Sequence, residues 1–181
     1  MQFTPTPIAG AFLIEPKRIS DDRGFFARTW CADTLAKQGL NPGVVQINTA
    51  HNIKAGTVRG MHFQKAPHAE VKIVHCPHGA IFDVVVDLRP DSPTYCRWHG
   101  AELSKDNLLA LYIPEGCAHG YQALTDGAVM TYLTSAPYAA QSATGARFDD
   151  PAFGIEWPRE ITVMSAADRG WPLISKETPS P

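Results

Sequence analysis

Five polar residues interrupt apolar, strand-like stretches of the chain. They are Arg59 and His62 in "TVRGMHFQ", Lys72 in "AEVKIVHC", His119 in "AHGYQAL" and Tyr132 in "VMTYLTS". Charge in a buried strand costs on the order of several kcal/mol unless it is paired or used. A neutral histidine takes a proton near neutral pH. A lysine or a second histidine stabilises the oxyanion left behind. A tyrosine across a cavity returns a proton from the other side. This is equipment for proton abstraction beside a carbonyl, with no cofactor required. Arg59 adds a guanidinium suited to a phosphate. The bland reading stands beside it: most histidines in strands are hydrogen-bonded structure, and most tyrosines in β-proteins are core with a tethered hydroxyl.

A metal reading also exists. His62, His68, Glu70 and His119 are of ligand type, but the close His-x-His pair of metal-binding cupins is absent. Lys72 in the same cavity would oppose an added cation, so no metal is expected.

Positioning these groups falls to strands. Apolar runs bounded by turn residues predict them at "AFLIEP", "GVVQINTAH", "TVRGMHFQ", "AEVKIVHC", "GAIFDVVVDLR", "TYCRWHGAEL", "LLALYIP", "AHGYQAL" and "VMTYLTS". Fifteen prolines and fourteen glycines punctuate the chain at short intervals, as in a sandwich or barrel. In "AEVKIVHC", Val71, Ile73 and Cys76 sit among Lys72 and His75, which suggests one covered face and one polar face. Alternation turns Lys72 away from Val71 and Ile73. An open barrel would then bring Arg59, His62 and Lys72 to one cavity. Only "CADTLAKQGL" and, for a turn or two, "SAADRG" read as helix.

The chain's 181 residues suit one domain with a sizeable core. Hydrophobic content is 44% and charged content 19%, a globular balance, and a formal charge of −2 gives no nucleic-acid footprint. No window approaches the roughly 20 apolar residues of a membrane span. The opening "MQFTPTPIAG" does not read as a signal peptide. Four scattered cysteines without a CxxC pair argue against a zinc site or disulfide framework. A cytoplasmic, reduced protein is expected. The closing "KETPSP" reads as a loosely ordered tail.

Longer strings carry a resemblance. "DDRGFF", "TVRGMHFQ", "KIV", "GAIFDVVVDLRPDSPTY", "IPEGCAHGYQAL", "TYLTSAPY" and "FDDPAFGIEWP" follow one another from about Ile8 to Pro172. In these the chain resembles the dTDP-4-dehydrorhamnose 3,5-epimerases of deoxysugar biosynthesis. The resemblance implies a mainly β fold, a single cupin-type jelly roll or β-sandwich over residues 1–181 with a few short helices. It implies a homodimer that works without metal. By the same resemblance His62 is the base at C3 or C5 of a nucleotide-linked 4-keto-6-deoxyhexose, and Tyr132 is the acid on the opposite face. Lys72 would stabilise the enolate, and Asp168 would orient His62. Arg23, Phe26, Gln46, Asn48, Arg59, His119 and Tyr138 match positions that contact the nucleotide diphosphate and sugar.

Two positions depart from the family pattern. Arg28 stands where a glutamate is usual, at the nucleotide end of the site, and Ala143 where an acidic residue is usual. The loop "QINTAHNIKAG" is also one residue longer. These differences raise a CDP- or GDP-linked substrate, or a differently decorated sugar, as alternatives to a dTDP-linked one. Inversion at a single carbon, a ketoisomerase and a silent sugar-nucleotide binding module are further alternatives. The complete set of His62, Lys72, Tyr132 and Asp168 favours the epimerase. For dimerisation, "PTPIAGAFLIEP" is an apolar strand able to extend a partner's sheet.

Overall fold

A computed structural model describes residues 1–174; the "KETPSP" tail lies outside them. The chain runs β1 (Gln2–Pro5), β2 (Phe12–Glu15), β3 (Arg18–Asp21), β4 (Gly24–Ala27), α1 (Ala32–Lys37), β5 (Gln46–Asn52), β6 (Val58–Gln64) and β7 (Lys72–His78). It continues through β8 (Ala80–Asp87), β9 (Trp98–Ser104), β10 (Ala110–Ile113), β11 (Cys117–Ala123), β12 (Ala128–Thr134), β13 (Ala143–Gly145) and α2 (Ala166–Arg169). Each of the nine expected strands and both helices is present.

Two antiparallel sheets face each other. One has the order β1-β2-β10-β7-β12-β5 and the other β13-β6-β11-β8-β9. From β6 to β12 the chain crosses repeatedly between them, which is the jelly-roll habit. Strand alternation explains why both can pack on two sides. Val74, Leu111, Ile113 and Met130 of the first sheet meet Ile81, Val85, Leu103 and Tyr121 of the second in the central core. Outward residues of the first sheet, Ile14, Ile73 and Tyr112, are covered by Leu35 of α1. Outward residues of the second, Val84, Val86 and Ala118, lie under Phe153 and the nearby Trp157. No helix among the described residues is long and apolar enough to cross a membrane.

Three details differ from expectation. Cys76 shares the inner face with Lys72, because both are even-numbered in β7, and His75 lies on the outer face in a groove with Ile73 and Leu133. The polar face expected of Lys72 and His75 together therefore does not form. Second, β2 is hydrogen-bonded on both sides, to β1 and β10, so the free edges of this sheet are β1 and β5. Third, a separate β3–β4 hairpin and the short β1 and β13 were not anticipated.

Candidate active site

β6 and β11 are neighbours, with His62 opposite His119 and Arg59 opposite Tyr121. Arg59 and His62 are three residues apart, a spacing that points side chains to opposite faces of a regular strand. Here the register shifts between the two pairs, and the irregularity returns both residues to the inner face. Two glycines permit the close approach. A Cβ on Gly60 would stand 2.5 Å from the Gly120 Cα, and Gly60 has φ of 139°.

On the facing sheet Tyr132 is flanked by Asn48 and Val74, and Thr134 by Gln46 and Lys72. Cross-strand partners share a face, so these polar residues form one block looking inward. His62 and Gln64 come from the opposite sheet to close a cavity of about 480 Å³. Glu70, Ala143 and Trp171 complete its walls, and the exposed Tyr138 stands at the mouth.

His62 does not stand alone. Its Nε2 is 2.6 Å from Oδ1 of Asp168. Asp168 is held by α2, whose N-cap Ser165 accepts the Asp168 N–H at 3.0 Å through Oγ. The Gly60 N–H donates to the other carboxylate oxygen at 3.5 Å. Burial alone would raise the Asp168 pKa, but the His62 hydrogen bond and charge, with Gly60 and Ser165, bring it below its ordinary value. An ionised Asp168 accepts from Nε2–H and so leaves the lone pair on Nδ1. The Trp171 ring stands edge-on to the imidazole at 6.2 Å.

Lys72 is buried. Its ammonium donates to the His62 carbonyl at 2.9 Å and pairs with Glu70 Oε1 at 3.1 Å. Burial pushes its pKa down, against the opposing charges of Glu70 and Asp83. An ammonium has three N–H bonds, so one remains after these two. Tyr132 is shifted the other way: burial raises its hydroxyl pKa and the nearby Glu70 charge adds to it.

The remaining expected residues divide into three groups. Gln46, Asn48 and Tyr138 are in the cavity wall, tied by Gln46 Nε2 to Asn48 Oδ1 at 2.9 Å and by the Tyr138 N–H to Gln46 Oε1 at 3.2 Å. Arg59 and His119 are beside it rather than in it. Arg59 Nε donates to Asn52 Oδ1 at 3.0 Å, and His119 Nε2 lies 2.7 Å from the buried Asp83 carboxylate. Arg23 and Phe26 are on the β3–β4 hairpin, where both side chains are exposed and Arg23 pairs with Asp21 at 2.6 Å. Arg28, beyond that hairpin, shares a shallow groove with Phe26 and Lys17 and is not in the cavity wall. Ala143 is.

Among the described residues no three His, Cys, Asp or Glu side chains converge as a metal site. The four residues of ligand type have other engagements: His62 with Asp168, His68 with Ser142, Glu70 with Lys72, His119 with Asp83. The four cysteines are free thiols.

Sequence reasoning missed Asp83, Trp171 and the position of Glu70 beside Lys72. Glu70 and Lys72 are two apart, a same-face spacing that could have revealed the pair. Trp171 lies in an irregular segment where no periodicity points.

The sequence model of the dTDP-4-dehydrorhamnose 3,5-epimerase family matches residues 5–176. The chain belongs to that family. A dTDP-4-dehydrorhamnose 3,5-epimerase of Sinorhizobium fredii is 43% identical over 175 residues, 96% of this chain and 90% of that protein. The crystal structure of a Bacillus anthracis epimerase, with TDP and pyrophosphate bound, superposes with a TM-score of 0.92 at 39% identity, covering 96% of this chain and 99% of the other. A 3′-monoepimerase from Streptomyces bikiniensis, in complex with dTDP-quinovose, gives 0.87 at 33% identity over 94% and 86%. As a family member the protein is an isomerase-type enzyme of deoxysugar biosynthesis.

Proposed function

We propose that the enzyme inverts C3 and C5 of dTDP-4-dehydro-6-deoxyglucose to give dTDP-4-dehydrorhamnose. His62, through Nδ1, removes the proton beside the C4 carbonyl, and Asp168 holds the ring and offsets the charge it gains. The electrons move to the C4 oxygen, where the remaining Lys72 N–H meets the enolate. Tyr132 delivers a proton to the opposite face of the carbon. What supports this reading most is one relation: a carboxylate-backed imidazole on one sheet and a half-buried tyrosine on the other, lining the same cavity. Binding alone has no use for an acid and a base on opposite walls.

Nucleotide binding falls to the mouth. Tyr138 would stack on the base, with Gln46 and Asn48 beneath it and Arg59 and His119 flanking the diphosphate. Arg23 and Phe26 lie apart from this cavity, on a hairpin with Ile19, Phe25 and Phe26 exposed. In a homodimer they would serve the partner's cavity, which gives the exposed apolar hairpin a cover. The dTDP ligand follows the nucleotides named in the relatives' structures. Inversion at one carbon is the second reading, and the likeness to a 3′-monoepimerase is what supports it.

The test is turnover of dTDP-, CDP- and GDP-linked 4-keto-6-deoxyglucose, compared by product analysis. A clear dTDP preference with both centres inverted is expected. A preference for CDP or GDP, or product inverted at one carbon only, overturns the proposed substrate or outcome.

A further inference from the structure

Five buried side-chain atoms among the described residues lack a hydrogen-bond partner, and three of them belong to residues in the wall of this one cavity: Asn48 Nδ2, Glu70 Oε2 and Trp171 Nε1. A buried polar atom left unpaired costs on the order of 1–3 kcal/mol. Three of the five, all on residues of one cavity wall, leave bonds for a ligand seated there to supply. Asn48 and Trp171 present donors. Glu70 Oε2 is the acceptor, on a side chain only 5% exposed, and must therefore meet a donor.

Its neighbour narrows the choice. Glu70 Oε1 is engaged by the Lys72 ammonium, whose third N–H is left over. The two residues thus offer an acceptor and a donor next to each other. The complementary ligand carries a hydroxyl and a carbonyl on adjacent carbons. In a 4-keto hexose that pair is the C3 hydroxyl and the C4 oxygen.

We propose that Glu70 is a substrate-reading residue, its Oε2 accepting the hydrogen bond of the sugar hydroxyl next to the keto group while Lys72 holds the keto oxygen. This rests on the nucleotide-sugar reading above. It gives the cavity a means of telling a sugar with a hydroxyl at that carbon from a 3-deoxy sugar. A hydrogen bond to an ionised acceptor is stronger than a neutral one. Losing the ligand's hydroxyl also strands the carboxylate oxygen again.

The experiment measures calorimetric binding of dTDP, dTDP-glucose and dTDP-3-deoxyglucose to the wild type, Glu70→Ala and Glu70→Gln. Neither sugar has a keto group to react, and each keeps an oxygen at C4. The wild type is expected to bind dTDP-glucose about tenfold or more tighter than the 3-deoxy analogue. Glu70→Ala should bind both alike while keeping its affinity for dTDP, which also reports that it is folded. Glu70→Gln, with a neutral acceptor of the same shape, should retain only a few-fold difference. Equal binding of both sugars by the wild type overturns the proposal alone. So does discrimination that survives unchanged in Glu70→Gln or Glu70→Ala. A wild type that binds neither dTDP nor dTDP-glucose overturns the nucleotide-sugar reading and this proposal with it.

Discussion

His62 and Tyr132 wall one cavity from opposite sheets of the sandwich, the imidazole backed by Asp168 at 2.6 Å and the phenol flanked by Asn48 and Val74. In the proposed mechanism a substrate lying between them presents one face of a carbon to His62 as base and the other to Tyr132 as acid. Inversion by that route needs two inner surfaces facing each other across one cavity.

Replacing Tyr132 by Phe separates the two half-reactions. Net inversion should fall by a factor on the order of 10²–10⁴. Deuterium exchange driven by His62 should fall much less, because the same residue can return the proton it took. Equal losses of both, followed by proton NMR, would mean that Tyr132 does more than reprotonate.

The alkaline limb of the pH profile should belong to Lys72. Burial lowers its pKa from the ordinary 10.5, so its charge is lost as pH rises through a value below that. Tyr132 is shifted the other way, upward from 10.0. The limb should appear below pH 10.5 and persist in the residual exchange of the Tyr132→Phe enzyme. Its disappearance in that variant would assign it to the tyrosine instead.

Gly60→Ala should damage both fold and activity. The added Cβ meets the Gly120 Cα at 2.5 Å, and φ of 139° is unfavourable for alanine. A loss of about 1–3 kcal/mol is expected from the strained backbone, read by urea denaturation. Displacing the irregularity that turns both Arg59 and His62 inward should cut turnover further than stability accounts for.

Acid stability should centre on Asp87, whose carboxylate is fully buried at the end of β8. Burial opposes its charge, but bonds from Arg89, Ser92 and Thr94 outweigh this and bring its pKa down to about 2 from 3.8. A depressed carboxylate contributes stability that is complete above 3.8 and is lost as pH falls toward 2. The contribution is on the order of 2 kcal/mol. Denaturation curves between pH 5 and 2 should show this slope in the wild type and lose most of it in Asp87→Asn.

The long strands were legible as runs containing apolar residues bounded by turn residues, as β8 is by Gly79 before it and Pro90 beyond it. Among the short elements, β2 and β10, of four residues each, were readable because they sit inside longer apolar runs, whereas β1, β3, β4 and β13, of three or four residues, were not. Parity matters in two places. His75 was grouped with Lys72 although an odd and an even position cannot share a strand face. Arg59 and His62 share one only through the register shift that Gly60 and Gly120 allow, and no local pattern signals that. Lys72 and Tyr132 were readable as polar residues in apolar strands. Asp168 came from the family resemblance alone, since its partner lies 106 positions away along the chain.

The central claim is that His62 abstracts the proton. Proton NMR in deuterium oxide with dTDP-4-dehydro-6-deoxyglucose tests it, comparing the wild type with His62→Asn. Deuterium is expected at both C3 and C5 in the wild type, with exchange at both lost in the variant by a factor on the order of 10²–10⁴ while dTDP binding persists. Exchange that continues in the variant at a comparable rate would contradict it.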